Sequence, residues 1–215
     1  MKDIQSIIDE TFSAMCNEYD EIFKEFYPGL ESAGFNESNL VQKFMFHYKI
    51  KNPNTITWSE LSMKYLDDSD DSDDSDDSDD SDDSKLKLGR LDGIIIDYEN
   101  DFFIIIEAKR FNHKRKIESS IGDVNRSIRI EDNPRYTLPL HCYTLVLGDI
   151  WAEGSETDRR KQWIKMWVDN NPLSTHKKLD PAIRTLQHQC ISSQSIPNYH
   201  LVYSLFECTK NETRP

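Results

Sequence analysis

Three residues near the middle of the chain have types and a spacing that could support metal or acid–base chemistry. Asp92 precedes one apolar run, and Glu107 and Lys109 end the next one as Glu-Ala-Lys. If residues 99–100 form the loop of a hairpin between these runs, Asp92 lies directly opposite Glu107. In the same register Arg90 faces Lys109. Because side chains alternate across a strand, Asp92, Glu107 and Lys109 are expected to share one face.

Two carboxylates in this position need a partner. Like charges directly opposite each other in a sheet are unfavourable, so a pair about 5 Å apart either shares a proton or holds a cation. Such oxygen ligands, with one backbone carbonyl, suit Mg²⁺ or Mn²⁺. Lys109 would be close enough to orient or deprotonate an attacking water. The structural alternative is that these charges keep the strand ends soluble, with Asp92 paired to Arg90 and Glu107 to Lys109.

Apolar periodicity and turn residues predict the elements that position these residues. An amphipathic helix is expected over 3–27, and further helices over 37–50, 116–130, 155–170 and 180–189. Strands are expected over 55–65, 88–97, 102–109, 141–150 and 198–207. Asn36 or Ser38 can cap the second helix, on whose apolar face Glu37 falls. The alternation slips near Glu60, which predicts a bulge or bend.

This order predicts an α/β fold with a mixed central sheet, in which an α-β-β-β-α-β core is flanked by helices. We expect a single domain over residues 1–215, with residues 1–29 as an N-terminal helical extension. That helix could pack on the core or on a second copy of the chain, so a homodimer is possible. Trp151, Trp163 and Trp167 are expected in the core.

Net charge is concentrated in one segment. The 215 residues carry a formal charge of −13, but residues 67–84 are six Asp-Asp-Ser triplets, and the rest of the chain is close to neutral. We expect this segment to be a disordered loop between two strands. No run of 18 apolar residues is present, which excludes a membrane-spanning helix. Four scattered cysteines favour a reducing, cytoplasmic setting over a disulfide scaffold.

Asp92, followed by Glu107-Ala108-Lys109 at the end of an apolar strand, resembles the PD-(D/E)xK nuclease motif of the restriction-endonuclease-like superfamily. The first half of the motif reads Leu-Asp here instead of Pro-Asp. The α-β-β-β-α-β order is similar to the core of that superfamily, and Glu37 matches the acidic residue that many members carry on the preceding helix. The resemblance covers about residues 36–150.

The resemblance implies a Mg²⁺-dependent (endo)nuclease that hydrolyses phosphodiester bonds, with DNA favoured over RNA as the substrate and the endo or exo mode left open. Asp92, Glu107 and the Ala108 carbonyl would bind Mg²⁺, with Mn²⁺ as a possible substitute. Lys109 would position the attacking water and help to neutralise the developing charge. Glu37 would hold a second metal ion or a water.

The eight residues after Ala108 contain five Lys or Arg and one His. A clamp on the nucleic-acid backbone is the functional interpretation, formed by Arg110, Lys114, Arg115 and Lys116. A solvated loop is the structural one. Asp123 and Arg126, three residues apart on the next helix, could point at the site, but a surface ion pair is the favoured interpretation.

An alternative function keeps the same fold without catalysis. The chain would then be a binding or regulatory module, with the acidic loop 67–84 as its interaction segment. The presence of Asp92, Glu107 and Lys109 together favours the nuclease.

Overall fold

Six strands form one mixed sheet, and two helices pack on each of its faces. The structure is a computed structural model that describes residues 3–25, 36–66, 86–131, 141–152, 157–176 and 179–209. The predicted acidic loop at 67–84 lies outside the described residues. None of the helices in the described ranges is long and apolar enough to cross a membrane.

The elements follow one another as α1 (Ile4–Glu25), α2 (Glu37–Lys51), β1 (Ile56–Leu66), β2 (Leu86–Asp97), β3 (Phe102–Arg110), α3 (Lys114–Glu131), β4 (His141–Trp151), α4 (Thr157–Asp169), β5 (Ile183–Ser192) and β6 (Tyr199–Cys208). The strand order is β1-β2-β3-β4-β6-β5, and β3 and β4 run parallel while the other neighbours are antiparallel. The predicted α/β class and the α-β-β-β-α-β order from α2 to β4 are confirmed.

One predicted helix is wrong. Residues 180–189 were expected to be helical because Asp180 and a following proline are typical of a helix start. Asp180 instead closes a turn, in which its Oδ1 accepts from the Ala182 amide at 2.9 Å and its carbonyl accepts from the Ile183 amide at 2.9 Å. The chain then continues as β5, an edge strand paired with β6. Distant pairing outweighs the local signal here.

The N-terminal helix is part of the core. The buried residues of α1 recur at helical spacing, and Phe12 packs edge-on against Tyr203 of β6 with ring centroids 4.8 Å apart. Phe23 makes a similar contact with Tyr199 at 5.0 Å. Because its apolar face is buried in its own chain, α1 does not offer that face to a second copy.

Two apolar cores sandwich the sheet. We call the side covered by α1 and α2 the first face, and the side covered by α3 and α4 the second face. Trp151 is buried on the first face, and Trp163 and Trp167 on the second, as expected. Strand β3 alternates between them: Ile104 and Ile106 join the first core, while Ile105 joins the second.

The β2–β3 hairpin has the predicted register over its ladder pairs, but the ladder stops before the predicted pairs of Asp92 with Glu107 and of Arg90 with Lys109. Its pairs run from Asp97 opposite Phe102 to Gly93 opposite Ile106. The Asp97 carboxylate closes the turn, accepting from the Glu99 and Asn100 amides at 3.2 and 3.1 Å and from the Asn100 side chain at 2.9 Å. These bonds form an Asx-type turn, which fixes the register by local chemistry.

Two glycines allow close packing near the open end of this hairpin. A Cβ at Gly93 would lie 2.6 Å from Val41 of α2, so only glycine lets the helix rest on β2 here. A Cβ at Gly148 of β4 would lie 2.2 Å from the Phe111 ring. Phe111 is buried directly after β3, and its passage over Gly148 fixes the path of the chain into α3.

The sheet is irregular where β1 meets Asp92. Ladder pairs flank the position on both sides, with Ser59 opposite Gly93 and Leu61 opposite Leu91, but Glu60 and Asp92 are not a pair. Glu60 has a positive φ of 58°, which is uncommon for a residue with a side chain. The strand is thus irregular at Glu60, where a bulge or bend was expected, but the register is the same on both sides and no bulge is present there. The irregularity lies beside the candidate carboxylate.

Candidate active site

Glu107 is the buried carboxylate at the centre of the site. It follows Phe103 and Ile105 on the second face, and only 2% of its side chain is exposed. Its Oε2 lies 3.7 Å from the Lys109 ammonium, and its Oε1 accepts from Nη2 of Arg126 at 3.3 Å. Apart from Arg126, which is on α3, these groups belong to the last residues of β3. A buried charge of this kind is retained only where other charges compensate for its lost hydration.

A second carboxylate closes these contacts into a ring. Asp123 of α3 has its Oδ2 3.0 Å from the Lys109 ammonium and its Oδ1 2.5 Å from Nη2 of Arg126. Glu107, Lys109, Asp123 and Arg126 therefore alternate in sign around a closed circuit, which we call the charge ring. Its members are between 2% and 23% exposed.

Asp92 lies beside the ring on the neighbouring strand. Its Oδ2 accepts from the Ala108 amide at 2.8 Å, next to the point where the β2–β3 ladder pairs stop. The carboxylate thus replaces a backbone acceptor and is anchored to the Glu-Ala-Lys segment. It is also close enough to act electrostatically on Glu107. The structure therefore brings Asp92, Glu107, Ala108 and Lys109 together.

The positive charge around the Glu107 carboxylate does not fully offset its burial and the charges of the neighbouring carboxylates. The pKa of Glu107 is raised to about 8, chiefly by burial and then by the Asp123 and Asp92 carboxylates, against the lowering effect of Lys109 and Arg126. Burial by itself would lower the pKa of Lys109, but Asp123, Glu107 and Asp92 together raise it. Three carboxylates face two cations, so one negative charge lacks a partner unless Glu107 holds a proton.

The donors fit a hard divalent cation by type. Two carboxylates, from Asp92 and Glu107, and the Ala108 carbonyl are the oxygen ligands that Mg²⁺ prefers. Within the described ranges, no three side chains of Asp, Glu, His or Cys are grouped to hold one metal ion. A metal ion here would therefore rely on water for its remaining ligands, as Mg²⁺ commonly does.

Glu37 is held at the end of β3 by different partners. It stands in the first turn of α2, which is capped by Asn36. Its Oε1 accepts from the Arg110 amide at 3.0 Å and lies 3.7 Å from the Lys116 ammonium. The charges that act on Glu107 are those of Asp123, Asp92, Lys109 and Arg126, so Glu37 is not among its strongly coupled neighbours.

Glu37 belongs to a second polar cluster, on the first face. Asp149 of β4 is fully buried there, and both of its oxygens lie 3.4 Å from Nε of Arg110. The pKa of Asp149 is raised to about 6, chiefly by burial and also by Glu37, while Arg110 and the Tyr199 hydroxyl lower it. Asp149 was not anticipated from the sequence, although a Gly-Asp pair near the end of an apolar strand is a signal that could have indicated it.

The four residues expected to form the clamp have two kinds of surroundings. Arg110 is paired with Asp149, and Lys116 approaches Glu37. Lys114 and Arg115 are exposed at the start of α3, with Lys114 3.7 Å from Glu118 of the next turn. Lys114 and Arg115 are therefore the two clamp candidates that solvent reaches most freely.

The interpretation of Asp123 and Arg126 as a surface pair is wrong. Their side chains are 13% and 23% exposed, and they complete the charge ring instead of facing solvent. A signal was available in the helix itself, because Asp123 lies between the small residues Ser120 and Ser127 at spacings of three and four, and both serines are buried. Glu60, by contrast, is 52% exposed and pairs with Arg90 at 2.6 Å.

Comparisons with known proteins do not add to this geometry. The chain matches no protein-family model, no curated protein and no solved structure.

Proposed function

We propose that this protein is a metal-dependent nuclease that hydrolyses phosphodiester bonds in DNA. The observation that supports it best is the junction of Asp92 with Glu107-Ala108-Lys109 at two neighbouring strand ends, with Glu107 buried and an ammonium beside it. This is the arrangement that the resemblance to the PD-(D/E)xK motif implies. A mixed sheet in which β3 and β4 are parallel also agrees with a restriction-endonuclease-like core.

Each residue has a role in the proposed reaction. Asp92, Glu107 and the Ala108 carbonyl would hold Mg²⁺ or Mn²⁺. When bound, the ion supplies positive charge that stabilises the attacking and leaving oxygens of an in-line displacement. Lys109 orients the attacking water and offsets the negative charge that develops on the phosphoryl oxygens. The exposed Lys114 and Arg115 are suited to contact phosphates further along the strand.

The reaction balances without a redox partner. A water oxygen forms a bond to phosphorus while the opposite P–O bond breaks. The attacking water gives up one proton to the surrounding water, and the leaving oxygen takes one proton from it. Nothing in the sequence of steps requires a covalent enzyme intermediate. The proposed function therefore needs a divalent ion, an oriented water and a cation.

Cleavage assays test the proposal directly. Plasmid DNA and matched DNA and RNA oligonucleotides are incubated with the protein in Mg²⁺ and in EDTA. We expect Mg²⁺-dependent cleavage of DNA that Lys109→Ala abolishes, while Glu60→Gln, a change at an exposed carboxylate near Asp92, leaves it intact. Cleavage that survives EDTA or Lys109→Ala would overturn the assignment. Binding of DNA without cleavage under any metal would support the inactive module instead.

Metal binding provides an independent test. Calorimetric titration with Mg²⁺ is expected to give weaker binding to Asp92→Asn than to the unmodified chain, because one oxygen ligand loses its charge. Equal affinities would contradict the ligand role of Asp92.

Deletion of residues 67–84 separates the nuclease from a protein whose acidic segment is its functional part. Twelve aspartates repel phosphates, so a nuclease is expected to keep or gain activity without them.

A further inference from the structure

Arg126 occupies the place where the proposed site most needs positive charge. Its Nη2 lies 3.3 Å from Oε1 of Glu107, the carboxylate whose pKa is raised because burial and two other carboxylates surround it. A guanidinium and a divalent ion offer the same compensation to one carboxylate. They therefore compete for Glu107.

In the charge ring, the distance from each cation to Asp123 differs from its distance to Glu107. Arg126 lies 2.5 Å from Asp123 but 3.3 Å from Glu107, and Lys109 lies 3.0 Å from Asp123 but 3.7 Å from Glu107. Both cations are closer to Asp123, on α3, than to Glu107, on β3. Asp123 is thus the anchor of the two cations, and Glu107 is the carboxylate that can be released from them.

The helix that carries the anchor is well fixed. Ser120 and Ser127 are buried, and their hydroxyls donate to carbonyls one turn back, at Lys116 and Asp123. Small, internally bonded side chains on this face let α3 lie close to β3. Asp123 can then retain both cations while Glu107 changes partner.

We propose that Arg126 is an internal counter-ion that donates to Glu107 in the metal-free protein, where its positive charge favours the ionised carboxylate, and that it withdraws to Asp123 when a divalent ion binds. Asp123 is the positioning residue that receives Arg126 and keeps Lys109 beside the attacking water. This inference rests on the proposed function, since it requires Glu107 to be a metal ligand. It adds two residues, Asp123 and Arg126, that the Asp92–Glu107–Lys109 motif does not contain.

The proposal predicts opposite effects for the two residues. Arg126→Gln removes the competitor, so Mg²⁺ and Mn²⁺ are expected to bind about tenfold more tightly, the equivalent of one charge-assisted hydrogen bond. Asp123→Asn removes the anchor, so both cations shift towards Glu107 and metal binding weakens by about tenfold. A purely structural role would weaken binding in both variants, because either change would loosen the packing of α3.

Calorimetric titration of the whole chain with Mn²⁺ and Mg²⁺ measures these affinities. Arg90→Gln is the matched control, because Arg90 of β2 also pairs with a carboxylate, Glu60 of the neighbouring strand β1, but is 63% exposed. Its affinity should equal that of the unmodified chain. Arg126→Lys keeps the positive charge and should also bind metal as the unmodified chain does.

The outcomes separate this inference from the proposed function. If the unmodified chain binds metal and Arg126→Gln binds no more tightly, the counter-ion role is overturned while the nuclease proposal stands. If neither protein binds metal, both proposals fall. Should Arg126→Gln not fold, NMR of the arginine Nε–Hε groups in the unmodified chain decides the question. The Arg126 signal must shift on saturation with Mg²⁺ while that of Arg90 stays in place, and an unmoved Arg126 signal overturns the inference.

Discussion

Asp97 and Glu107 lie at opposite ends of the β2–β3 hairpin, and each is 1% exposed, yet their surroundings differ in kind. Asp97 accepts four hydrogen bonds from neutral donors: two backbone amides, the Asn100 side chain and, at 2.9 Å, the Tyr48 hydroxyl. The described contacts of the Glu107 carboxylate are with the cations Lys109 and Arg126, and two further carboxylates act on it.

The difference separates a carboxylate that stabilises the fold from one that is available for chemistry. Neutral donors fixed by the backbone satisfy Asp97 in one geometry, so nothing is gained by a ligand there. Glu107 depends on long side chains that have alternative positions, and its raised pKa reports incomplete compensation. Carboxylates with strongly perturbed pKa values are typical of functional sites.

The sharpest test of this contrast is Glu107→Gln. We expect DNA cleavage to fall by about 10²–10³-fold, because a charged oxygen ligand is lost from the reaction centre. The free energy of unfolding should change by less than about 1 kcal/mol at pH 7, since a carboxyl with a pKa of about 8 is mostly protonated and glutamine resembles it. Loss of activity accompanied by a collapse in stability, measured by urea unfolding, would break the comparison.

Asp97→Ala should behave in the opposite manner. Its removal leaves the buried Tyr48 hydroxyl and Asn100 amide without their acceptor, which costs about 2–4 kcal/mol of the free energy of unfolding. Cleavage per folded molecule should be unchanged, because the turn is at the far end of the hairpin from Glu107. Asp97→Asn retains one oxygen and should cost less than Asp97→Ala. A loss of activity in fully folded Asp97→Ala would show that the two ends are coupled.

The structural features of the two ends of the hairpin also differ in how far the sequence predicts them. The hairpin register could be predicted because two apolar runs are joined by a local turn, and the turn chemistry of Asp97 is encoded within four residues. Glu107 and Lys109 could be assigned to one face because alternation along a strand is a local rule. Strand β5 could not be predicted, since its pairing partner, β6, imposes a conformation that the Asp180 turn does not specify.

The α3 side of the site depended on packing that is not local. Asp123 and Arg126 reach Glu107 only because the apolar residues of α3, such as Ile121 and Val124, set the rotation of the helix over the sheet. Glu37 lies on the expected helix, but its carboxylate accepts a hydrogen bond from the Arg110 amide, on the side of β3 away from Glu107. Backbone amides at a strand end compete for side chains in ways that spacing alone does not reveal.

The pH dependence of stability sharpens the comparison further. Because the pKa of Glu107 is raised from 4.5 to about 8, the folded state binds more protons than the unfolded state between these values. The contribution of Glu107 therefore favours folding below pH 4.5 and is lost as pH rises through 8. In EDTA, the unmodified chain should lose about 3–4 kcal/mol of its free energy of unfolding relative to Glu107→Gln between pH 5 and 8.

Urea unfolding of both proteins across this range measures that difference directly. Asp149, whose pKa is also raised, is present in both proteins, so its effect cancels in the comparison. Parallel stability curves would mean that Glu107 is as well compensated as Asp97, which would remove the reason for treating it as a site residue.

The smallest effect is expected at Arg90, which lies on the same end of β2 as Asp92 but outside the charge ring. Its pair with Glu60 is 2.6 Å long, and both side chains are more than half exposed. Arg90→Ala should therefore change the free energy of unfolding by less than about 0.5 kcal/mol, as is usual for exposed ion pairs, and leave cleavage within twofold. Urea unfolding and the plasmid assay measure both quantities. A loss above about 1 kcal/mol would mean that exposed charges at this end act as one network with Glu107, and that burial is not what distinguishes the ring from its surroundings.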